Sequence, residues 1–178
     1  MKMVLLLALT ALLLGCKGPY KDLEGDFAAS DAKGGGTQVS TNYITLVSQN
    51  QTGAFNYKGV LEVTVSDDAV TFAPRTPYSI FQKAIRIPST AITGCSMTCF
   101  GMDDRHVDLL LGKQGTDISL DAPKAMLDWC WRTNRPMITG KQKRDWLYAG
   151  KELPDIKDHL QVARDEYERQ ACRACAGY

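Results

Sequence analysis

The spacing of hydrophobic positions changes character several times along this chain. Residues 3–14 form an almost uninterrupted apolar run, preceded by Lys2 and closed by Gly15-Cys16. A helix that crosses a membrane needs roughly 20 apolar residues. A shorter run led by one positive charge predicts a cleavable secretory signal over residues 1–15. Residues 16–41 mix charges and small residues with the Gly34-Gly35-Gly36 triplet. Such a segment buries too little surface to offset its ordering entropy, which predicts a flexible tether reaching roughly 5–6 Å × √n for n residues. From residue 43 onward β-type runs dominate. Residues 43–47, 60–65, 69–72, 80–87, 95–100, 107–111 and 117–120 predict short strands. Turn chemistry separates them, as at Ser66-Asp67-Asp68, at 74–77 and at Gly112-Lys113-Gln114-Gly115. Within 60–65, Leu61, Val63 and Val65 share one face. Short strands joined by turns predict a small antiparallel barrel or sandwich.

Helical spacing follows. Asp121-Ala122-Pro123 predicts an N-cap with proline near the first turn. Met126, Leu127, Cys130 and Trp131 then form a face to pack on the strands. Pro136 ends that helix, and residues 140–150 read as a polar connector. Over 154–175 the stripe Ile156, Leu160, Ala163, Tyr167, Ala171 and Ala174 predicts an amphipathic C-terminal helix. The expected class is therefore α+β: a signal at 1–15, a tether at 16–41, a β-rich domain with a capping helix at 42–132, and a basic connector with a terminal helix at 133–178.

Two resemblances add to this pattern. Leu13-Leu14-Gly15-Cys16 resembles the lipobox of bacterial lipoproteins, in which the cysteine becomes the acylated first residue; Leu14 stands where a smaller residue is more usual. The resemblance implies that Cys16 carries the lipid, palmitate included, and anchors the chain in the bacterial cell envelope. Lys17 stands where an aspartate would signal retention at the inner membrane. That implies the periplasm-facing inner leaflet of the outer membrane. Residues 59–64 with 70–72 are similar to the opening hairpin of GRAM and pleckstrin-homology (PH)-like domains. Ile85-Arg86-Ile87-Pro88 with Ile92 resembles their third strand. The hairpin over 107–120, followed by the Trp-bearing helix over 123–132, resembles their ending. This likeness spans about 57–132 and implies a bent barrel closed at one end by the helix, in domains that generally bind lipids or proteins rather than catalyse. The basic headgroup motif of the eukaryotic members is not evident.

Composition narrows the partners. Apolar residues make up 44% and charged residues 23%, as in ordinary globular domains, and the formal charge is only +1. Any electrostatic function must come from local clustering. Besides Cys16 there are Cys95, Cys99, Cys130, Cys172 and Cys175. An exported chain meets an oxidising compartment, where cysteines pair. Cys95 and Cys99 on one extended strand stand roughly 13 Å apart, so a direct bridge between them would need a bend or bulge. The expectation is that one of them joins Cys172 or Cys175, stapling the terminal helix to the β-rich domain, and that Cys130 remains a buried free thiol. Two other chemistries compete. Cys172-Arg173-Ala174-Cys175 has thiol-oxidoreductase spacing, although a helix C-terminus disfavours thiolate. The C-x3-C and C-x2-C pairs together could close a zinc site.

Between 124 and 151 lies a basic and aromatic cluster in which Lys141, Lys143, Arg144, Trp146 and Tyr148 are the candidate membrane contacts, since cations favour anionic headgroups and Trp and Tyr favour the interface. The opposing reading makes the tryptophans core and the lysines a solvated loop. Asp103-Asp104-Arg105-His106 with Asp108 could bind metal or share a proton, or form a polar hairpin loop. No Gly-x-Ser-x-Gly, H-E-x-x-H or phosphate loop occurs. No catalytic residue, metal or cofactor is expected, and nucleic acid is a poor partner in an envelope. The expectation is a non-catalytic lipid-surface or assembly module. A protein-partner role, such as an inhibitor or immunity-type lipoprotein, is the alternative, and a thiol redox protein using Cys172 and Cys175 comes third.

Overall fold

The computed structural model describes residues 18–29, 35–49, 53–100 and 104–153. Alternation of apolar and polar residues becomes two mostly antiparallel sheets. The smaller takes β1 (Thr37–Val39), β4 (Leu61–Val65), β5 (Ala69–Pro74) and β6 (Ile85–Pro88) in the order β1-β4-β5-β6. The larger takes β2 (Tyr43–Ser48), β3 (Ala54–Lys58), β7 (Gly94–Phe100), β8 (Asp104–Leu111), β9 (Thr116–Leu120) and β10 (Met137–Ile138) in the order β10-β7-β8-β9-β2-β3. Among the described residues the sheets do not close into a barrel. Three helices complete the described residues: α1 (Pro19–Phe27), α2 (Pro123–Arg132) and α3 (Gly140–Ala149).

Leu61, Val63 and Val65 do share a buried face, and Val63 pairs with Phe72 while Val65 pairs with Val70. Ile44 and Leu46 from β2, Leu109 from β8 and Ile118 from β9 belong to the same hydrophobic core as these residues and as Met126, Trp129 and Cys130 of α2. Trp129 is fully buried, and its indole N–H donates to the Ser66 carbonyl at 2.6 Å, tying α2 to the β4–β5 turn.

Several expectations are corrected. Residues expected as a flexible tether include α1 and β1. Pro19 sits in the first turn of α1, and Tyr20 and Leu23, three positions apart on one helix face, are both buried in the main core. The Tyr20 hydroxyl donates to the Lys83 carbonyl at 2.8 Å. The expected strand over 80–87 is shorter. Tyr78–Ile80 forms a 3-10 turn and only Ile85–Pro88 is extended. Asp121 does not cap α2, whose N-cap is Ala122. Its carboxylate instead accepts from the Thr41 hydroxyl and from the backbone N–H groups of Asn42 and Tyr43, fixing the entry to β2.

The expected polar connector over 140–150 is α3. Thr139 and Gln142 form a reciprocal capping box at its start, which satisfies N–H groups the first turn would leave unpaired. Gly150 ends it in the left-handed conformation at φ 65°. Trp146 and Leu147 on α3 pack with Leu110 and Ile138 in a second, smaller core on the other side of the large sheet. β10 runs parallel beside β7, so close that a side chain on Gly94 would meet Ile138 Cγ1 at 2.7 Å. The C-terminal stripe from Ile156 to Ala174, with Cys172 and Cys175, lies outside the described residues.

Candidate functional site

The cysteine expectation changes first. Cys95 on β7 and Cys130 on α2 form a disulfide with Cα atoms 6.4 Å apart, and both residues are fully buried. Cys130 is therefore not a free thiol, and Cys95 does not staple the terminal helix. The reason is topological: α2 lies on the core face of the sheet, to which Cys95 also points. Cys99 occupies β7 opposite Arg105, and its pairing, like that of Cys172 and Cys175, lies outside the described residues.

The basic and aromatic cluster is divided rather than assembled. Lys141, Arg144 and Tyr148 remain on the surface, while Trp146 is buried in the smaller core and the Lys143 side chain is only 12% exposed. Lys141 and Lys151 both bond Asp145 Oδ2, at 3.0 and 3.1 Å, and the Lys141 hydrogen bond leads in holding that carboxyl below its ordinary value. Lys143 turns inward for a chemical reason. Asp108 and Asp117 are buried on the outer face of the large sheet, and a buried carboxylate requires a counter-charge. Lys143 Nζ lies 2.7 Å from Asp108 Oδ2 and 2.8 Å from Asp117 Oδ2, and it donates to Thr98 Oγ1 at 3.2 Å. Thr98 in turn donates to Asp108 Oδ2 at 2.5 Å.

Electrostatics within this cluster follow from two carboxylates sharing one ammonium. Burial, reinforced by the Asp108 charge, pushes Asp117 up to about 7 against the pull of Lys143. For Lys143, burial disfavours the charged form, but the two aspartates outweigh it and raise its pKa above the ordinary lysine value. In register, Ser96 and Ser119 flank Asp108 on the same face. Among the described residues, Ser96 Oγ, Ser119 Oγ, Asp108 Oδ1 and Asp117 Oδ1 lack hydrogen-bond partners. Of the expected Asp103–Asp108 constellation, Asp103 lies outside the described residues, Arg105 is exposed, and His106 is buried opposite Thr98. No group of three His, Cys, Asp or Glu side chains is placed to hold a metal ion among the described residues. Ser96 and Asp108 are fully buried, and the cluster is a charged clamp of α3 on the sheet.

A different surface stands out by exposure. Tyr78 is 48%, Ile80 74% and Phe81 67% exposed, in a continuous exposed run over 75–81. The segment adjoins α1, because Lys21 Nζ donates to the Phe81 carbonyl at 3.2 Å and Tyr20 holds the Lys83 carbonyl. Arg75 and Lys83 flank it and are also exposed. Ile80 and Phe81, expected as strand residues, lie outside β6. The available signal was their adjacency, which a half-buried strand does not favour, together with Pro74 and Pro77 just before them. No described helix is long and apolar enough to cross a membrane. The chain matches no known protein-family model and no curated protein.

Proposed function

We propose that this chain is a lipid-anchored protein of the bacterial envelope whose folded domain is a non-catalytic binding module at the membrane surface. The observation that carries the reading is the position of α1. Its first residue, Pro19, follows the lipobox cysteine Cys16 almost directly, and Tyr20 and Leu23 fasten it into the main core. An acyl chain on Cys16 would then hold a rigid body against the bilayer. The buried Cys95–Cys130 disulfide supports export, since such bridges form and persist in oxidising compartments. The meander β4-β5-β6, the meander β7-β8-β9 and the helix α2 after them follow the order of the PH/GRAM-like pattern, although the open sheets depart from its closed barrel. The leaflet we favour is the periplasm-facing one of the outer membrane. A protein-partner role of the inhibitor or immunity type would use the same anchor.

Metabolic labelling tests the anchor. Full-length protein expressed in a bacterium with labelled palmitate should carry the label and sediment with membranes. Cys16→Ser should lose both. An unlabelled parent protein overturns the proposal.

A further inference from the structure

We infer that the exposed segment Tyr78, Ile80 and Phe81 is a second membrane contact, dipping into the bilayer that holds the acyl chain; this rests on the anchored reading above. Cys16 and Lys21 are five residues apart in the sequence, so their backbones are separated by at most about 18 Å even at full extension. Pro19, Tyr20 and Lys21 are helical, which shortens the reach further. A folded body of the 125 described residues has a radius of gyration of about 14 Å, so it is about 36 Å across. The anchor therefore cannot wrap around to turn a distant face toward the lipid. The surface around the start of α1 is the part within reach of the lipid: a Cβ on Gly18 would lie 3.5 Å from Phe55, and Lys21 bonds the Phe81 carbonyl, so Phe81 belongs to that surface.

Chemistry agrees with that placement. Ile80 and Phe81 are among the most exposed large apolar side chains of the described residues, and Tyr78 supplies a ring suited to the headgroup layer. Exposed Arg75 and Lys83 flank them, with Lys21 beside Phe81. Cations in that position favour anionic headgroups. Glu62 pairs with Arg75 at 3.4 Å and Glu24 with Lys21 at 2.8 Å, so part of this charge is neutralised and the apolar tip is the main contact.

The test uses full-length acylated protein reconstituted into vesicles of phosphatidylethanolamine and phosphatidylglycerol, with and without brominated acyl chains. Phe81→Trp introduces an indole at the tip, and Tyr148→Trp introduces one on α3, over the other sheet; both positions are exposed. The indole at position 81 should shift to the blue and lose most of its added emission to the bromines, whereas that at 148 should not. In the unsubstituted protein, tryptic cleavage after Arg75 should slow severalfold on vesicles relative to cleavage after Lys151. If the protein floats with vesicles but position 81 is quenched no more than position 148, the inference is overturned: the tip faces solvent or a protein, and the anchor stands. If the acylated protein does not float, the anchored reading fails and this inference falls with it.

Discussion

The Lys143 ammonium lies 2.8 Å from Asp117 Oδ2, and the same ammonium also serves Asp108. Two buried carboxylates thus compete for one cation, and protonating one of them relieves the competition.

Stability should therefore fall as pH rises from about 4 to about 7. Asp117 is pushed up to about 7 in the fold, chiefly by burial, so the native state holds a proton in this window that the unfolded chain has released. The contribution is complete below the unfolded value and is lost through the folded one. Lys143 has its own raised pKa, and its contribution persists until alkaline pH. Asp117→Asn should flatten the acid-to-neutral slope while keeping an acceptor for Lys143. Urea midpoints at a series of pH values check this, and an unchanged slope would sink the assignment.

Neighbouring lysines on α3 should behave very differently. Lys143→Ala strands two buried carboxylates and should cost about 3–5 kcal/mol. Lys141→Ala or Arg144→Ala, on the exposed face, should change stability by no more than about 0.5 kcal/mol. Equilibrium urea unfolding of the three variants gives the comparison. Similar costs for all three would mean that α3 does not clamp the sheet.

Replacing Cys95 and Cys130 together by alanine should lower stability by about 2–4 kcal/mol, because the bridge closes a loop over a sequence separation of 35. Peptide mapping without reduction should recover 95 and 130 in one linked pair. Recovery of either with another cysteine would contradict the fold as described.

Leu23→Ala should destabilise the whole domain by about 2–5 kcal/mol, as for other buried leucines. A tether residue would show no effect. Cleavage by trypsin after Lys21 should quicken in the variant, because α1 is released with its core contact.

The β-rich centre was legible because period-two alternation survives in the strands themselves: Leu61, Val63 and Val65 reveal their common face without neighbours. Helix α2 announced itself through Pro123 and the grouping of Met126, Leu127 and Cys130. The misread parts depend on contacts between distant segments. In α1, Tyr20 and Leu23 are scattered among charges and find their burial only in the core, so composition argued for a tether. Helix α3 has a polar sequence, and its local marker is the Thr139 and Gln142 capping pair alone. The aspartates carried a signal as well. Asp108 interrupts an apolar strand, and such a charge demands a partner, but only the fold brings Lys143 to it. Cys130 could be placed in the core, yet its partner depended on which face of β7 meets α2.

Full burial of the Cys95–Cys130 bridge also sets a deadline in the life of each molecule. Once α2 has settled on the large sheet, no oxidoreductase can reach either sulfur without undoing that packing. Electrons must be withdrawn while the two segments are still apart, before α2 packs on the sheet. A chain that closes over two reduced thiols would be hidden from later repair, and a finished bridge is equally hidden from reductants. The redox fate of this protein is thus decided once, at maturation.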